Sequence, residues 1–286
     1  MSQALNDLLA LLALEPLDTG LFRGHSIDLG FGAVFGGQVM GQALSAAKYT
    51  LDEDRPIHSF HSYFLRPGDV NKPIIYDVEN LRDGKTTSTR RIKALQHGKP
   101  IFYMTASFQQ SNSGFEHQAP MPDVAGPNGL LSEEQRIRAL ADYLPASVKP
   151  QLLAEQPIDM RQVNYVDPLQ PIPAEPLRYI WLKAKGTLPD DPPIHKYLLA
   201  YAADFNFLPT SLMPHGRSFW ERELQVATID HSMWFHQDFR FDEWILYVVE
   251  SPRAVGGRGL VQGRFYTQQG DLVATAMQEG LIRPYA

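Results

Sequence analysis

Residues 194–213 read IHKYLLAYAADFNFLPTSLM. The run is apolar on nearly every side and dominated by Leu, Ala and Tyr. It follows Asp190-Asp191-Pro192-Pro193. An Asp there can cap a helix, and a Pro fits the first turn, where no intrahelical N–H is needed. The expectation is a helix running from Ile194 to about Leu208. A helix that is apolar all round belongs in a protein interior. Yet Asp204 stands in the middle of it, with Ala200, Tyr201, Phe207 and Leu208 three and four positions away. A carboxylate in such a place cannot simply face water. It has to be hydrogen-bonded within the fold, and its proton affinity is displaced. Two readings stand at this point: a structural acid tied to nearby backbone, or a catalytic carboxylate.

A second helix of this kind is expected at residues 38–49, after the glycine-rich run GFGAVFGG at 30–37. That run lacks the Gly-x-Gly-x-x-Gly spacing after a clear strand, and no Lys-Ser or Lys-Thr follows it, so it is not a nucleotide loop. Its glycines suit a tight entry and close packing of the helix on a sheet. Gln38 and Gln42 lie one turn apart on it and suit either a site wall or solvent. Beyond Pro56 the texture changes to strands at 58–65, 73–79, 86–96 and 101–109. Turns at Pro67-Gly68, Asp83-Gly84 and His97-Gly98 separate them. Ahead of all this, residues 4–14 form an amphipathic helix with Leu8, Leu9, Leu11 and Leu12 on one face, and 21–25 a short strand.

Residues 111–129 are rich in Ser, Gly, Pro and Asn and read as a surface crossing. Ser132 with Gln135 three positions on is a capping box, opening a helix to about Leu144. After more connection at 145–157, strands are expected at 160–166 and 177–185. The second half then repeats the first. His61-Ser62-Tyr63-Phe64 is echoed by His231-Ser232-Met233-Trp234 at an offset of 170. Residues 74–79 are echoed by 245–250 at an offset of 171, and residues 98–106 by 270–278 at an offset of 172. Three echoes in one order imply two tandem copies of a helix-plus-antiparallel-sheet unit.

Bulk properties narrow the function. The chain has 286 residues, 44% hydrophobic and 20% charged, with a net charge of -6 and no cysteine. This is a globular composition with no basic surface for nucleic acid. Thiol nucleophiles, disulfides and thiolate metal sites are excluded. No secretion signal, membrane-length apolar run or peroxisomal C-terminal address is visible, so the expected location is cytoplasmic. His58, His61, His231 and His236 form no metal-binding spacing. Ser59, Ser62 and Ser232 lack a nucleophile elbow. Trp234, Phe235 and Phe239 suit a core or a pocket wall.

The chain resembles the bacterial acyl-CoA thioesterase II family of double hot-dog proteins. Several segments carry the resemblance: FGGQV at 35–39, HSFHSYFLRPG at 58–68, IFYMTASFQ at 101–109, DFNFL at 204–208, ATIDHSMWFH at 227–236 and Gln278-Glu279-Gly280. It spans essentially the whole chain. It implies an α+β tandem hot-dog fold, each unit a long buried helix wrapped by a curved antiparallel sheet. Residues 1–115 and 158–286 would be the units, and 116–157 a linker with one helix. The resemblance also implies hydrolysis of fatty acyl-CoA thioesters with no covalent intermediate; a broad range of medium to long acyl chains is expected besides, with no cofactor or metal. The catalytic residues would be Asp204, Thr228 and Gln278 in the second unit, and the chain a homo-oligomer, dimer or tetramer. The chemistry is compatible: a carboxylate can take a proton from water, and a hydroxyl and an amide can hold that water. A backbone donor near the start of the buried helix would suit the oxyanion. Arg66, Arg82, Arg90 and Arg91 suit CoA phosphates or an ordinary surface. Two rival functions remain, a hot-dog acyl-thioester dehydratase and a non-catalytic acyl-CoA binding module.

Overall fold

Pro192 and Pro193 occupy the first turn of the apolar helix, α5 (Pro192–Ala203). Asp191 is its N-cap, but the side chain makes no cap hydrogen bond. The prolines, rather than the expected carboxylate cap, set where it begins. The helix also ends earlier than expected. Asp204 is its C-cap, and Asn206 turns the backbone left-handed at φ 59°, a region Asn tolerates better than most residues. Pro209 has no N–H to return to the previous turn, so the α-helix cannot resume. Residues Leu208–His215 wind as a 3₁₀ helix instead. Asp204 therefore lies at a helix end, not in a helix middle.

The structure is a computed structural model describing residues 2–30, 32–51, 55–144 and 148–285. The part of the expected linker at 145–147, and the terminal Ala286, lie outside the described residues. The chain begins with α1 (Gln3–Leu12), β1 (Glu15–Asp18) and β2 (Leu21–Gly24), and then α2 (Gly36–Lys48). Four strands follow: β3 (Ile57–Phe64), β4 (Ile74–Asp83), β5 (Thr87–Gln96) and β6 (Lys99–Gln109). The linker carries α3 (Glu133–Ala139), a 3₁₀ turn at Ala141–Tyr143 and α4 (Lys149–Leu153), where one helix was expected. The expected capping box is present: Ser132 accepts from the Gln135 N–H, and the Gln135 side chain accepts from the Ser132 N–H.

Strands β7 (Ile158–Gln162) and β8 (Leu177–Ala184) precede α5. Beyond the 3₁₀ helix come β9 (Leu224–Thr228), β10 (Asp230–Phe235), β11 (Ile245–Val255), β12 (Arg258–Thr267) and β13 (Leu272–Pro284). All strands join one antiparallel sheet in the order β1-β2-β4-β5-β6-β3-β10-β13-β12-β11-β8-β7, with β9 pairing off β13. This is the tandem hot-dog: each unit's sheet wraps its own helix, and the two sheets meet at β3 and β10. α2 and α5 pack antiparallel inside, Gly37 against Tyr201 and Gly41 against Tyr197. One continuous apolar core joins the units.

The β3–β10 register revises one internal echo. His61 pairs with Ser232, Phe60 with Met233 and Ser62 with His231. A two-fold relation across this pairing makes His61 the counterpart of Ser232, an offset of 171, not 170. The slip matters because one residue moves every side chain to the opposite face. Phe60 and Ser62 are buried, as are His231 and Met233, whereas His61 is exposed. At 171 the faces agree, and the offset matches that of β4 and β11. Tyr76 and Tyr247, counterparts at 171, are both buried, and each donates its hydroxyl toward its own helix. Tyr76 reaches Gln42 Oε1 at 2.7 Å and Tyr247 the Ala203 carbonyl at 2.9 Å.

Two further expectations change. Gln38 and Gln42 neither line a cavity nor meet solvent. Both are fully buried, with Gln38 donating to the His25 carbonyl and Gln42 to those of His25 and Leu11. Arg90 is also buried and staples the end of α2 to the sheet. It donates to Thr50 Oγ1, the Thr50 carbonyl and Asn80 Oδ1, and pairs with Asp83 at 2.9 Å. The linker crosses the outer face of the second sheet, where Met121, Val124 and Leu130 pack on Trp181, Leu246 and Tyr266. Trp181 Nε1 donates to the Ala125 carbonyl at 2.8 Å. Among the described residues, no helix is long and apolar enough to cross a membrane.

Candidate active site

The glycines that open α2 pack helix on helix, rather than helix on sheet as expected. A Cβ on Gly37 would stand 2.3 Å from the Tyr201 carbonyl oxygen, and one on Gly36 2.7 Å from Asp204 Oδ2. Only bare backbone lets the start of α2 meet the end of α5 this closely. The Gly37 N–H donates to Asp204 Oδ2 at 3.1 Å. The carboxylate thus sits at the unfavourable C-terminal end of one helix and the favourable N-terminal end of the other. Its residue is half-buried by area, and that area opens into a cavity, so protein surrounds the carboxyl. Burial pushes Asp204 up to about 6, although the Gly37 N–H and the Gln278 amide both draw it down.

Thr228 ends β9 rather than beginning a strand, two residues before β10 starts at Asp230. The β9–β13 ladder sets Thr228 opposite Gly280. Gln278, two residues earlier on β13, turns inward and is buried, while Met277 and Glu279 face the other side. Its Nε2 donates to Thr228 Oγ1 at 2.6 Å. Its Oε1 lies 3.0 Å from His231 Nδ1. Gln278 therefore joins the expected residues into one group, with Thr228 on one side and Asp204 on another.

This group forms part of the wall of a cavity of about 390 Å³. The first unit contributes Val34, Phe35 and Gly36 to the lining, the linker Ile137 and Leu152, and the second unit Phe205, Leu208 and Phe219. The cavity is largely apolar, with an acid, a hydroxyl and an amide converging at one place, as small-molecule sites typically are. Such a group can accept one proton and orient one water. Among the described residues, no His, Asp and Glu cluster is placed to hold a metal. The four arginines singled out from the sequence do not line the cavity; the cations that do are Arg178, Lys185 and Arg217. Phe235 and Phe239 are core, and Trp234 packs on His61 away from the cavity.

Residues 158–281 match the family model described as acyl-CoA thioesterase, and residues 26–109 that of the acyl-CoA thioesterase N-terminal domain. Acyl-CoA thioesterase 2 of Haemophilus influenzae is 48% identical over 285 residues, covering 99% of both chains. The chain belongs to the acyl-CoA thioesterase II family. Acyl-coenzyme A thioesterase 8 of Homo sapiens is 43% identical over 95% of this chain and 87% of that protein. The crystal structure of acyl-CoA thioesterase II TesB2 from Mycobacterium marinum superposes with a TM-score of 0.80 at 39% identity. It covers 98% of this chain and 99% of its own. The double hot-dog fold and thioester hydrolase activity are those of the family.

Within this thioesterase the two-fold relation is broken at the site. The offset of 171 places Ile57 opposite Thr228 and Phe60 opposite His231, and the offset of 172 places Ala106 opposite Gln278. All three are buried and apolar. Residue typing alone missed Gly36, Gly37 and His231, because each matters through a partner distant in the chain.

Proposed function

We propose that this thioesterase hydrolyses fatty acyl-CoA of medium to long chain by direct attack of a water on the thioester carbonyl. Thr228 and the Gln278 amide hold the water, and Asp204 takes its proton as the water oxygen bonds to the carbonyl carbon. The tetrahedral intermediate then collapses, the C–S bond breaks, and the proton held by Asp204 passes to the leaving CoA sulfur, which restores the carboxylate. No side chain is acylated. Gly36, the first residue of α2 and part of the cavity wall, brings a helix N-terminus to the site, and that end favours the negative charge of the developing oxyanion. We further propose that the division into units at 1–115 and 158–286 places all three catalytic side chains in the second unit. A cytoplasmic homo-oligomer completes the reading.

The observation that carries this reading is the joining of Asp204, Gln278 and Thr228 in the wall of an apolar cavity. The raised proton affinity of Asp204 supports a base, because a base works best when its pKa lies near the working pH. The dehydratase reading needs an imidazole facing substrate, and no histidine lines the cavity among the described residues.

The test is Asp204→Asn, assayed by thiol release from acyl-CoA and by loss of enoyl-CoA absorbance, with thermal melting alongside. Thiol release should fall by roughly 10²–10⁴ with little change in apparent substrate affinity. Unfolding with normal turnover per folded molecule would return Asp204 to a structural role. Enoyl-CoA consumption by the native enzyme would favour dehydration, and no turnover of either substrate would leave a binding module.

A further inference from the structure

We propose that His231 is a positioning residue that holds the Gln278 amide in the one orientation that presents its Nε2 to Thr228 and Asp204. The inference rests on the role proposed above for Gln278. The two ends of a glutamine amide have nearly the same shape, so packing alone does not choose between them. Thr228 does not choose either, because a hydroxyl both donates and accepts. An ionised Asp204 does choose: it accepts only, so an amide oxygen turned toward it would be repelled. Once Asp204 takes a proton it can donate as well as accept and no longer chooses, and the orientation is then held from the far side of the amide, where His231 Nδ1 stands 3.0 Å from Oε1. Since Oε1 can only accept, this contact requires the proton on Nδ1.

The surroundings of the ring favour that tautomer. His231 is fully buried. It stacks on Phe60, with centroids 6.0 Å apart, and lies 5.5 Å from the Phe207 ring. Its Nε2 has no hydrogen-bond partner among the described residues. A proton there would be a buried, unpaired donor, and Nδ1 would then accept from Gln278, turning Oε1 toward the carboxylate. Unpaired buried N–H groups are rarer than under-satisfied acceptors. The backbone that carries the ring is fixed across the β3–β10 pairing, where Ser62 Oγ donates to the His231 carbonyl at 2.7 Å. Burial lowers the His231 pKa to about 4, so the ring stays neutral while Asp204 titrates.

An independent observation links the pair to the site. In the first unit the counterparts are Phe60 and Ala106. The imidazole and the amide are absent together from the first unit. A histidine present only to fill space would have no reason to track the glutamine.

The test is a cycle of His231→Leu, His231→Asn, Gln278→Ala and the Leu/Ala double variant, with kcat and KM measured separately. His231→Leu removes the donor, and kcat should fall roughly 10–100-fold while KM holds within about twofold. His231→Asn carries an N–H close to the place of Nδ1 and should recover most of that loss. In the Gln278→Ala background, His231→Leu should cost nothing further. A full, additive loss in that background, or wild-type kcat in His231→Leu beside an impaired Gln278→Ala, would overturn the positioning role. Wild-type kcat in Gln278→Ala would instead remove the catalytic trio itself. Should His231→Leu fail to fold, ¹⁵N-histidine NMR of the native enzyme decides: a Nδ1–H tautomer is expected, and a Nε2–H tautomer refutes the proposal.

Discussion

Asp204 carries two opposed demands. Its carboxyl binds a proton more tightly in the folded chain than in the unfolded one, shifted by burial from 3.8 to about 6. Folding is therefore opposed as pH rises through that window, and the cost is complete above its upper end. Asp204→Asn removes the cost, so the variant should be more stable than wild type at pH 8 by on the order of 1–3 kcal/mol, the scale of a two-unit shift. Near pH 4 the two should melt alike; a gain at pH 4 equal to that at pH 8 would disconnect the effect from titration. Wild-type kcat should rise with pH and level off above about 6. A carboxylate in an apolar run was legible in the sequence as an anomaly. Thr228 and Gln278 are legible only through the family resemblance, since by residue type a threonine or glutamine on a strand is ordinary until a ladder brings the two to 2.6 Å. His231 has no partner nearby in the chain to mark it, because the glutamine it meets lies 47 residues away.

Among the elements, the meeting of α2 and α5 governs the site. Gly37→Ala places a methyl group 2.3 Å from the Tyr201 carbonyl, which is backbone and cannot swing aside. The helices must separate, pulling the Gly37 N–H from Asp204. We expect a loss of roughly 1–3 kcal/mol by overpacking, with kcat falling more than the stability loss explains. Denaturant melts beside kinetics check this, and unchanged kcat in the folded variant would show that the helix ends move freely. Arg90 gives the contrasting case. Arg90→Met strands buried acceptors at the end of α2 and should cost roughly 2–4 kcal/mol, yet kcat of the folded enzyme should hold, since Arg90 does not line the cavity. Element types were largely readable from periodicity and turns. The ends of α5 were not: a left-handed Asn206 and a proline five residues past the cap outweigh an apolar run that reads as continuous. The echo at β3 differs from the structural register by one residue, because His-Ser recurs in sequence while burial follows the register.

At the scale of the molecule, the two-fold relation predicts a second cavity at the other end of the helix pair, and one of about 200 Å³ lies there. Its lining includes Ile57, Phe108, Pro192 and Pro193. Prolines have no N–H to offer where Gly37 offers one, and Ile57 stands in the place of Thr228. We therefore expect one equivalent of a non-hydrolysable acyl-CoA thioether to bind per chain by calorimetry; two equal sites would contradict this. Light scattering at micromolar protein should give a mass well above 32.2 kDa, and a single-chain mass would remove the oligomer. The edge strand β1 carries Glu15, Pro16 and Asp18, all exposed, a guard against edge pairing, so we expect the proposed oligomer to form through another surface. The β3–β10 pairing, made within one polypeptide, has a consequence for heredity. In a dimer of identical subunits every substitution appears twice, and a change that suits one cavity is imposed on the other. Here each half mutates alone. Ile57, Phe60 and Ala106 can settle in one copy while Thr228, His231 and Gln278 persist in the other, so selection can divide the work of packing from the work of chemistry.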